Sequence, residues 1–143
     1  MAWVATSTPP SARFLVLTGE TWFGQDRLAE WFPALTGRTN VGVVQGSEWL
    51  GQFSLRIAQA TTLQLCSTAG RHCIESWARP TGNSFDYVYI AQSPIWVGED
   101  RVERFGALIA ELLHAPDYEL VYAGPGAMIF RCEHSASYPG AAA

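Results

Sequence analysis

One pattern constrains this chain more than any other, and it occurs three times. A short apolar run of β-forming residues ends in a polar turn, and a tryptophan follows within a few positions. The runs are Phe14-Leu15-Val16-Leu17-Thr18, Val41-Gly42-Val43-Val44-Gln45 and Tyr87-Val88-Tyr89-Ile90-Ala91-Gln92. They leave through Gly19-Glu20-Thr21-Trp22, Gly46-Ser47-Glu48-Trp49 and Ser93-Pro94-Ile95-Trp96. A segment with helical spacing follows each of them. Nearly continuous apolar strands separated by helices are what a parallel sheet covered on both faces requires. In such sheets ligands sit in the crevice beyond the carboxyl ends of the strands. The pattern thus predicts a fold and an edge to search, without naming a reaction.

The expected architecture is an α/β, three-layer Rossmann-like sandwich, with a mainly parallel sheet and a C-terminal antiparallel β-hairpin. Residues 1–12 read as a lead-in to a single domain over 13–133, and 134–143 as a flexible tail. Asp26 is placed to cap a helix carrying Leu28, Trp31, Phe32 and Leu35 on one face, ending at Gly37. Pro33 falls inside that helix and is expected to divide it. A second helix is expected from about Gly51 to Leu65, with Phe53, Ile57, Ala60 and Leu63 or Leu65 inward. A loop from Cys66 to His72 and a short turn with Ile74 and Trp77 follow it. The spacing of Val102, Phe105, Leu108, Ile109 and Leu112 predicts a helix over 100–114. Tyr118–Tyr122 and Ala127–Arg131 flank a short turn and read as the hairpin, with Tyr118, Tyr122 and Phe130 packed inward, the alternative being an exposed aromatic rim against a lipid headgroup region.

At 143 residues the chain can bury a core without a metal or disulfide, since a domain of this size buries roughly 68–70% of its unfolded surface. Charged residues make up only 15%, well below the roughly 25% of an average domain. The net charge of −4 leaves no basic stripe for nucleic acid. No apolar run is long enough to span a membrane. The first residues lack the charged-then-apolar order of a leader peptide.

If the three runs are parallel, Glu20, Trp22, Gln45, Glu48, Trp49, Gln92 and Trp96 converge at one sheet edge. Aromatic faces beside carboxylates and amides suit sugar recognition, the rings covering C–H faces and the oxygens taking up hydroxyls. The competing reading has the tryptophans capping the core and Glu20 and Glu48 capping helix N-termini. The same two carboxylates could form a glycosidase pair, although nothing in the sequence fixes their separation. Gly19 and Gly24 match neither a P-loop nor a dinucleotide fingerprint, and no cofactor is expected. Cys66 and Cys73 enclose a short loop, which leaves both a disulfide and two buried thiols open. His72 adds no standard metal spacing, so no metal site is expected. Cys132 reads as an unpaired thiol.

Several segments resemble the part that follows the last membrane helix in bacterial polytopic membrane proteins. They are Thr8-Pro9-Pro10 through Thr18, Glu30-Trp31-Phe32-Pro33-Ala34-Leu35-Thr36-Gly37-Arg38, Val44-Gln45-Gly46-Ser47-Glu48-Trp49-Leu50, and Asp117 through Tyr122 with Ala127 through Arg131. The proteins resembled are integral membrane glycosyltransferases of the GT-C class, which take sugar from lipid-phosphate donors. The resemblance runs from about Trp3 to Arg131. In that class the catalytic acids lie in loops between membrane helices, and the Trp-Trp-Asp-Tyr-Gly motif of some oligosaccharyltransferases is missing here. No catalytic residue is therefore carried over. The resemblance implies a non-catalytic accessory domain on the extracytoplasmic face of the bacterial cell membrane, with Trp3-Val4 the stub of a juxtamembrane helix. The implied partners are the membrane-embedded part of its own parent chain and glycan or lipid-linked sugar. The alternatives are a stand-alone small soluble hydrolase or transferase using the carboxyl edge of the sheet, and a packing module that only braces membrane loops or a partner subunit.

Overall fold

The computed structural model describes residues 1–92, 95–97, 100–102 and 104–133, with 95–97 and 100–102 described by backbone alone. The expected tail at 134–143 lies outside the described residues. The order of elements is α1 (Ala2–Ser7), β1 (Arg13–Leu17), α2 (Arg27–Thr36), β2 (Thr39–Asn40) and α3 (Phe53–Gln64). A 3-10 turn (Leu65–Thr68) leads into α4 (Arg71–Thr81), β3 (Tyr87–Ala91), β4 (Ile95–Val97) and β5 (Asp100–Val102). The chain continues with α5 (Gly106–His114), β6 (Tyr118–Gly124) and β7 (Ala127–Cys132).

The fold is mixed α/β, and the main sheet has the order β2-β1-β3-β7-β6. β1 pairs in parallel with both β2 and β3. β7 pairs antiparallel with β3 and with β6. The expectation of a mainly parallel sheet is therefore corrected to a mixed one, with parallel and antiparallel pairs in equal number. The reason is β7. It runs from Ala127 beside Ala91 to Arg131 beside Tyr87, so the hairpin inserts its second strand against β3.

Alternation along the strands divides the core in two, because successive side chains point to opposite faces. Leu15, Leu17, Val88, Ile90 and Phe130 face a layer from α3, α4 and α5 that includes Leu63, Ile74, Trp77, Leu108 and Leu112. Phe14, Val16, Tyr89 and Ile129 face Val4 of α1 and Ala29 and Phe32 of α2. The segment before Arg13 thus contributes a fully buried side chain, Val4. Phe14 stacks on Tyr87 at 4.8 Å and tilts against Phe32 at 5.2 Å. On the hairpin Phe130 is fully buried, whereas Tyr118 and Tyr122 are half-buried.

Several local expectations change. The second β-run is displaced: the strand is Thr39–Asn40, and Val41–Gln45 forms the loop beyond it. Asn40 ends the strand by turning the chain, since its Oδ1 accepts from the Gly42 amide at 3.1 Å. Gly42 lets the loop pack closely there, since a Cβ would come within 2.6 Å of Leu63 Cδ2 and push that side chain aside. α2 is continuous through Pro33 rather than divided. A proline leaves the carbonyl four residues back without its helical donor. Here that carbonyl, Ala29 O, accepts from Asn40 Nδ2 at 3.0 Å, so one asparagine both stops β2 and repairs α2. Asp26 and Gly37 cap that helix as expected, but Trp31 and Leu35 face solvent while Ala29 and Phe32 are buried.

α3 buries only Leu63 and Gln64. In place of a loop and a short turn, residues 65–81 form the 3-10 turn and the eleven-residue α4. The helix expected over 100–114 begins at Gly106, because Asp100–Val102 pairs instead with Ile95–Val97. Phe105 precedes it with φ +67, fully buried, its amide donating to Ser67 O at 2.8 Å. That φ is unfavourable for a bulky residue, so burial and this hydrogen bond hold it in place.

Candidate functional site

The carboxyl ends of β1 and β3 lie side by side in parallel, and β1 runs on to α2 on one face of the sheet while β3 leads towards α5 on the other. Divergent exits from adjacent parallel strands open the crevice where such sheets bind ligands. Thr18 and Gly19 form its floor. Gly19 has φ +75, and a Cβ there would meet Arg104 Cδ at 2.6 Å. Two successive amides in such a turn make an oxygen-binding nest.

That nest is filled by the chain itself. Gln64 Oε1 accepts from the Thr18 amide at 2.8 Å and the Gly19 amide at 2.9 Å. Its Nε2 donates to Val16 O at 3.0 Å. Gln64 is thereby buried with its polar atoms satisfied. α3 reaches this position because it lies along the β1 exit loop. Phe53 sits edge-on to Phe23 at 5.8 Å, and Thr61 Oγ1 donates to Thr21 O at 3.1 Å.

Beside the nest, the Thr18 hydroxyl donates to Asp26 Oδ2 at 2.7 Å and accepts from the Glu20 amide at 3.2 Å. Asp26 Oδ1 accepts from the Ala29 amide at 3.0 Å, the capping bond of α2. Burial pushes the Asp26 carboxyl above its usual range. The Thr18 hydroxyl and Ala29 amide pull it back, and the nearby Glu20 charge adds a smaller push upward. A cleft lined by Glu20, Asp26, Gln45 and Gln64 keeps only about 10 Å³ for water-sized spheres. That is room for roughly one water.

The residues singled out in the sequence are partly gathered. Glu20 and Gln45 line that cleft together. Gln45 Nε2 donates to Phe23 O at 2.7 Å, tying the β2 exit loop to the β1 exit loop. Trp22 follows Glu20, whose carboxylate accepts its amide at 3.0 Å, and its ring is 60% exposed. Trp49 is 93% exposed, and its neighbour Glu48 is also exposed. These indoles do not cap the core. Neither glutamate caps a helix: Asp26 takes that place in α2, and α3 has no side-chain cap. Gln92 is exposed, its amide donating to Gly126 O at 2.9 Å. Trp96 lies in β4, and its side chain is outside the described residues.

Sequence reasoning named Asp26 only as a helix cap and did not name Thr18 or Gln64 as site residues. The cap signal was legible at Asp26. A glutamine inside a helix of weak periodicity gave no signal at all.

A second concavity of about 470 Å³ lies between α3 and α4, walled by Leu55, Ala58, Trp77 and Pro80. His72 Nε2 and Ser76 Oγ share a 3.1 Å contact at its margin. Cys66 and Cys73 are joined in a disulfide with Cα atoms 5.6 Å apart. Cys132 is free, and burial pushes its thiol up to about 12, well away from a reactive thiolate. Among the described residues no cluster of three potential metal ligands occurs, and no helix is long and apolar enough to cross a membrane. In comparisons with known proteins the chain matches no family model, no curated protein and no solved structure.

Proposed function

We propose that this chain is a non-catalytic, extracytoplasmic accessory domain of a membrane glycosyltransferase-like protein. It sits against the membrane-embedded part of its own parent chain and touches glycan or lipid-linked sugar at the rim of its strand exits. The observation that carries this reading is Gln64. Its amide oxygen occupies the nest of Thr18 and Gly19 amides, where an α/β enzyme would hold a substrate oxygen. With that position taken and the cleft reduced to about 10 Å³, a shallow rim of Glu20, Trp22 and Gln45 is the surface left for contact. An exposed indole beside carboxylate and amide oxygens suits the apolar faces and hydroxyls of a sugar.

Two further features support the reading. The Cys66–Cys73 disulfide suits an oxidising, extracytoplasmic compartment. The parallel order β2-β1-β3 reverses direction of travel across the sheet at β1, which places the exits of β1 and β3 where open α/β sheets hold ligands. The rival reading, a stand-alone hydrolase or transferase at the same edge, needs an open crevice and has less support.

Titrating oligosaccharides to millimolar concentration while following indole fluorescence and amide shifts tests the proposal. Shifts confined to residues 18–23 and 42–50, abolished by Trp22→Ala with Gln45→Ala, are the expected result. A flat response to every sugar removes the glycan-contact part of it. Turnover of a glycoside or sugar donor by the purified chain overturns the non-catalytic part.

A further inference from the structure

The two exposed loops at the carboxyl edge combine acidic charge with outward apolar side chains. Residues 18–26 and 41–52 contain Glu20, Asp26 and Glu48 and no arginine. Asp26 is buried, so the charges these loops show to solvent are carboxylates. Trp22, Trp49 and Leu50 stand out beside them, Leu50 being 71% exposed.

The loop bearing Trp49 and Leu50 is held at both feet by one residue of its neighbour. Gln45 bonds to Phe23 O on one side, and the Phe53 ring meets the Phe23 ring on the other. Between the feet, the Ser47 amide donates to Val44 O at 3.1 Å and the Leu50 amide to Ser47 O at 3.0 Å, with Ser47 buried. Gly51 at φ +71 and Gln52 at φ +54 then turn the chain into α3. The loop is therefore built around its own hydrogen bonds, and it turns its two largest apolar side chains outward.

We propose that this loop docks on the headgroup layer of a zwitterionic lipid bilayer. Trp49 and Leu50 enter the interface, and Glu48 faces the ammonium groups of choline or ethanolamine. Indoles partition to the level of the headgroups, where one part of the ring is apolar and the N–H stays wet. A quaternary ammonium is also drawn to an indole face and to a carboxylate. Neither loop carries a basic residue of its own. Arg104 reaches the first loop only at its Gly19 turn, its Nη1 donating to Thr18 O at 3.4 Å. Glu48 beside Trp49 sets the preference against anionic lipid.

One tryptophan and one leucine make a weak anchor alone. This inference deepens the accessory reading above and rests on it, since a domain tethered to a membrane-embedded parent experiences an effective lipid concentration high enough for weak docking to count. Docking by Trp49 and Leu50 leaves the cleft of Glu20 and Gln45 beside the membrane surface rather than in it.

The test uses the purified chain and phosphatidylcholine vesicles at millimolar lipid, with a nitroxide quencher at the headgroup. The wild-type chain is expected to partition and to show quenched indole emission, with Trp49→Phe removing most of the quenched component. Trp49→Ser with Leu50→Ser should keep the far-ultraviolet dichroism. It should lower partitioning at least about tenfold, since burying one such side chain is worth a factor of that order. Replacing phosphatidylcholine by phosphatidylglycerol should weaken partitioning, and Glu48→Arg should restore it. No partitioning, equal partitioning of the double variant, or a wild-type preference for anionic lipid overturns the proposal. A lipid-free dimer lost in the double variant overturns it too, by giving the patch to a second copy. A retained sugar response alongside failed docking leaves the accessory reading standing, and a lost sugar response alongside intact docking does the reverse.

Discussion

The two ends of β1 are built on opposite plans. At the amino end the polar ties join one element to another. The Arg13 amide donates to Asp86 Oδ2 at 2.9 Å, and the Asp86 amide donates to Arg13 O at 2.8 Å. The Cys132 amide donates to Asp86 O, and Arg38 Nη2 donates to Ala5 O at 2.8 Å and Thr8 O at 2.6 Å. The first three bonds join β1, β7 and the entry to β3, and Arg38 ties α1 to the turn between α2 and β2. At the carboxyl end the ties from α3, Gln45 and Asp26 all end on the exit loops, and large indoles remain in solvent. One end is closed by bonds between elements, whereas the other uses the buried Gln64 amide to hold a single turn while its indoles stay exposed.

The core between the two ends sets the scale of any perturbation. Phe130→Ala removes a fully buried ring from the α3–α5 side of the sheet. It should cost about 3–5 kcal/mol in urea unfolding. A cost comparable to that of an exposed residue would break the assignment of this face as core. Reducing Cys66–Cys73 should come next, lowering stability by about 2.5 kcal/mol on the chain-entropy model for so short a loop. Equal midpoints with and without reductant would contradict it.

Gln64→Leu strips the Thr18 and Gly19 amides of their acceptor and should cost about 2 kcal/mol, as buried donors left unpaired do. The comparison sharpens here. An equivalent loss at Gly19 amide exchange, with the amino-end amides of Arg13 and Asp86 unaffected, is expected by hydrogen-exchange spectroscopy. Uniform loss of protection would mean that the two ends are not independent.

Asp26 gives a smaller, pH-dependent effect. Its carboxyl titrates higher in the folded chain than the ordinary value of 3.8. Folding therefore favours the protonated form. The contribution is fully present below 3.8 and is lost as pH rises through the folded value. Asp26→Asn should flatten that part of the stability curve, measured as urea midpoints across acid pH. A curve of unchanged slope would show that another group carries it. Trp49→Ala should shift stability by no more than about 0.5 kcal/mol, as surface substitutions do. A large loss would show that the indole packs against the fold after all.

What was legible at the site follows the same division. Glu20 was found because residues just past a β-run must lie at a sheet edge, whereas Gln45 reaches that edge through the loop beyond β2, held there by its bond to Phe23 O. Trp31 and Leu35 were misplaced because their spacing fits a helical face equally well with Ala29 and Phe32 inward, and only the position of the sheet chooses between the two. Val41–Gln45 has every compositional mark of a strand. The Val41 amide still reaches Phe14 O at 2.9 Å, but Asn40, with two hydrogen-bonding duties, turns the chain so that the rest of the run is loop.

The sequence by itself determined the local choices whose physics is local. Apolar runs at Phe14–Leu17 and Tyr87–Ala91 made strands, Asp26 and Gly37 bounded a helix, and Ala123–Gly126 turned a hairpin. Only the tertiary structure decided that β7 would lie against β3, that Asn40 would supply the donor Pro33 lacks, and that Gln64 would fill the nest at Thr18 and Gly19. Each of these joins groups far apart in the chain, and a hydrogen bond between distant residues leaves no period in either segment for a reader of the sequence to find.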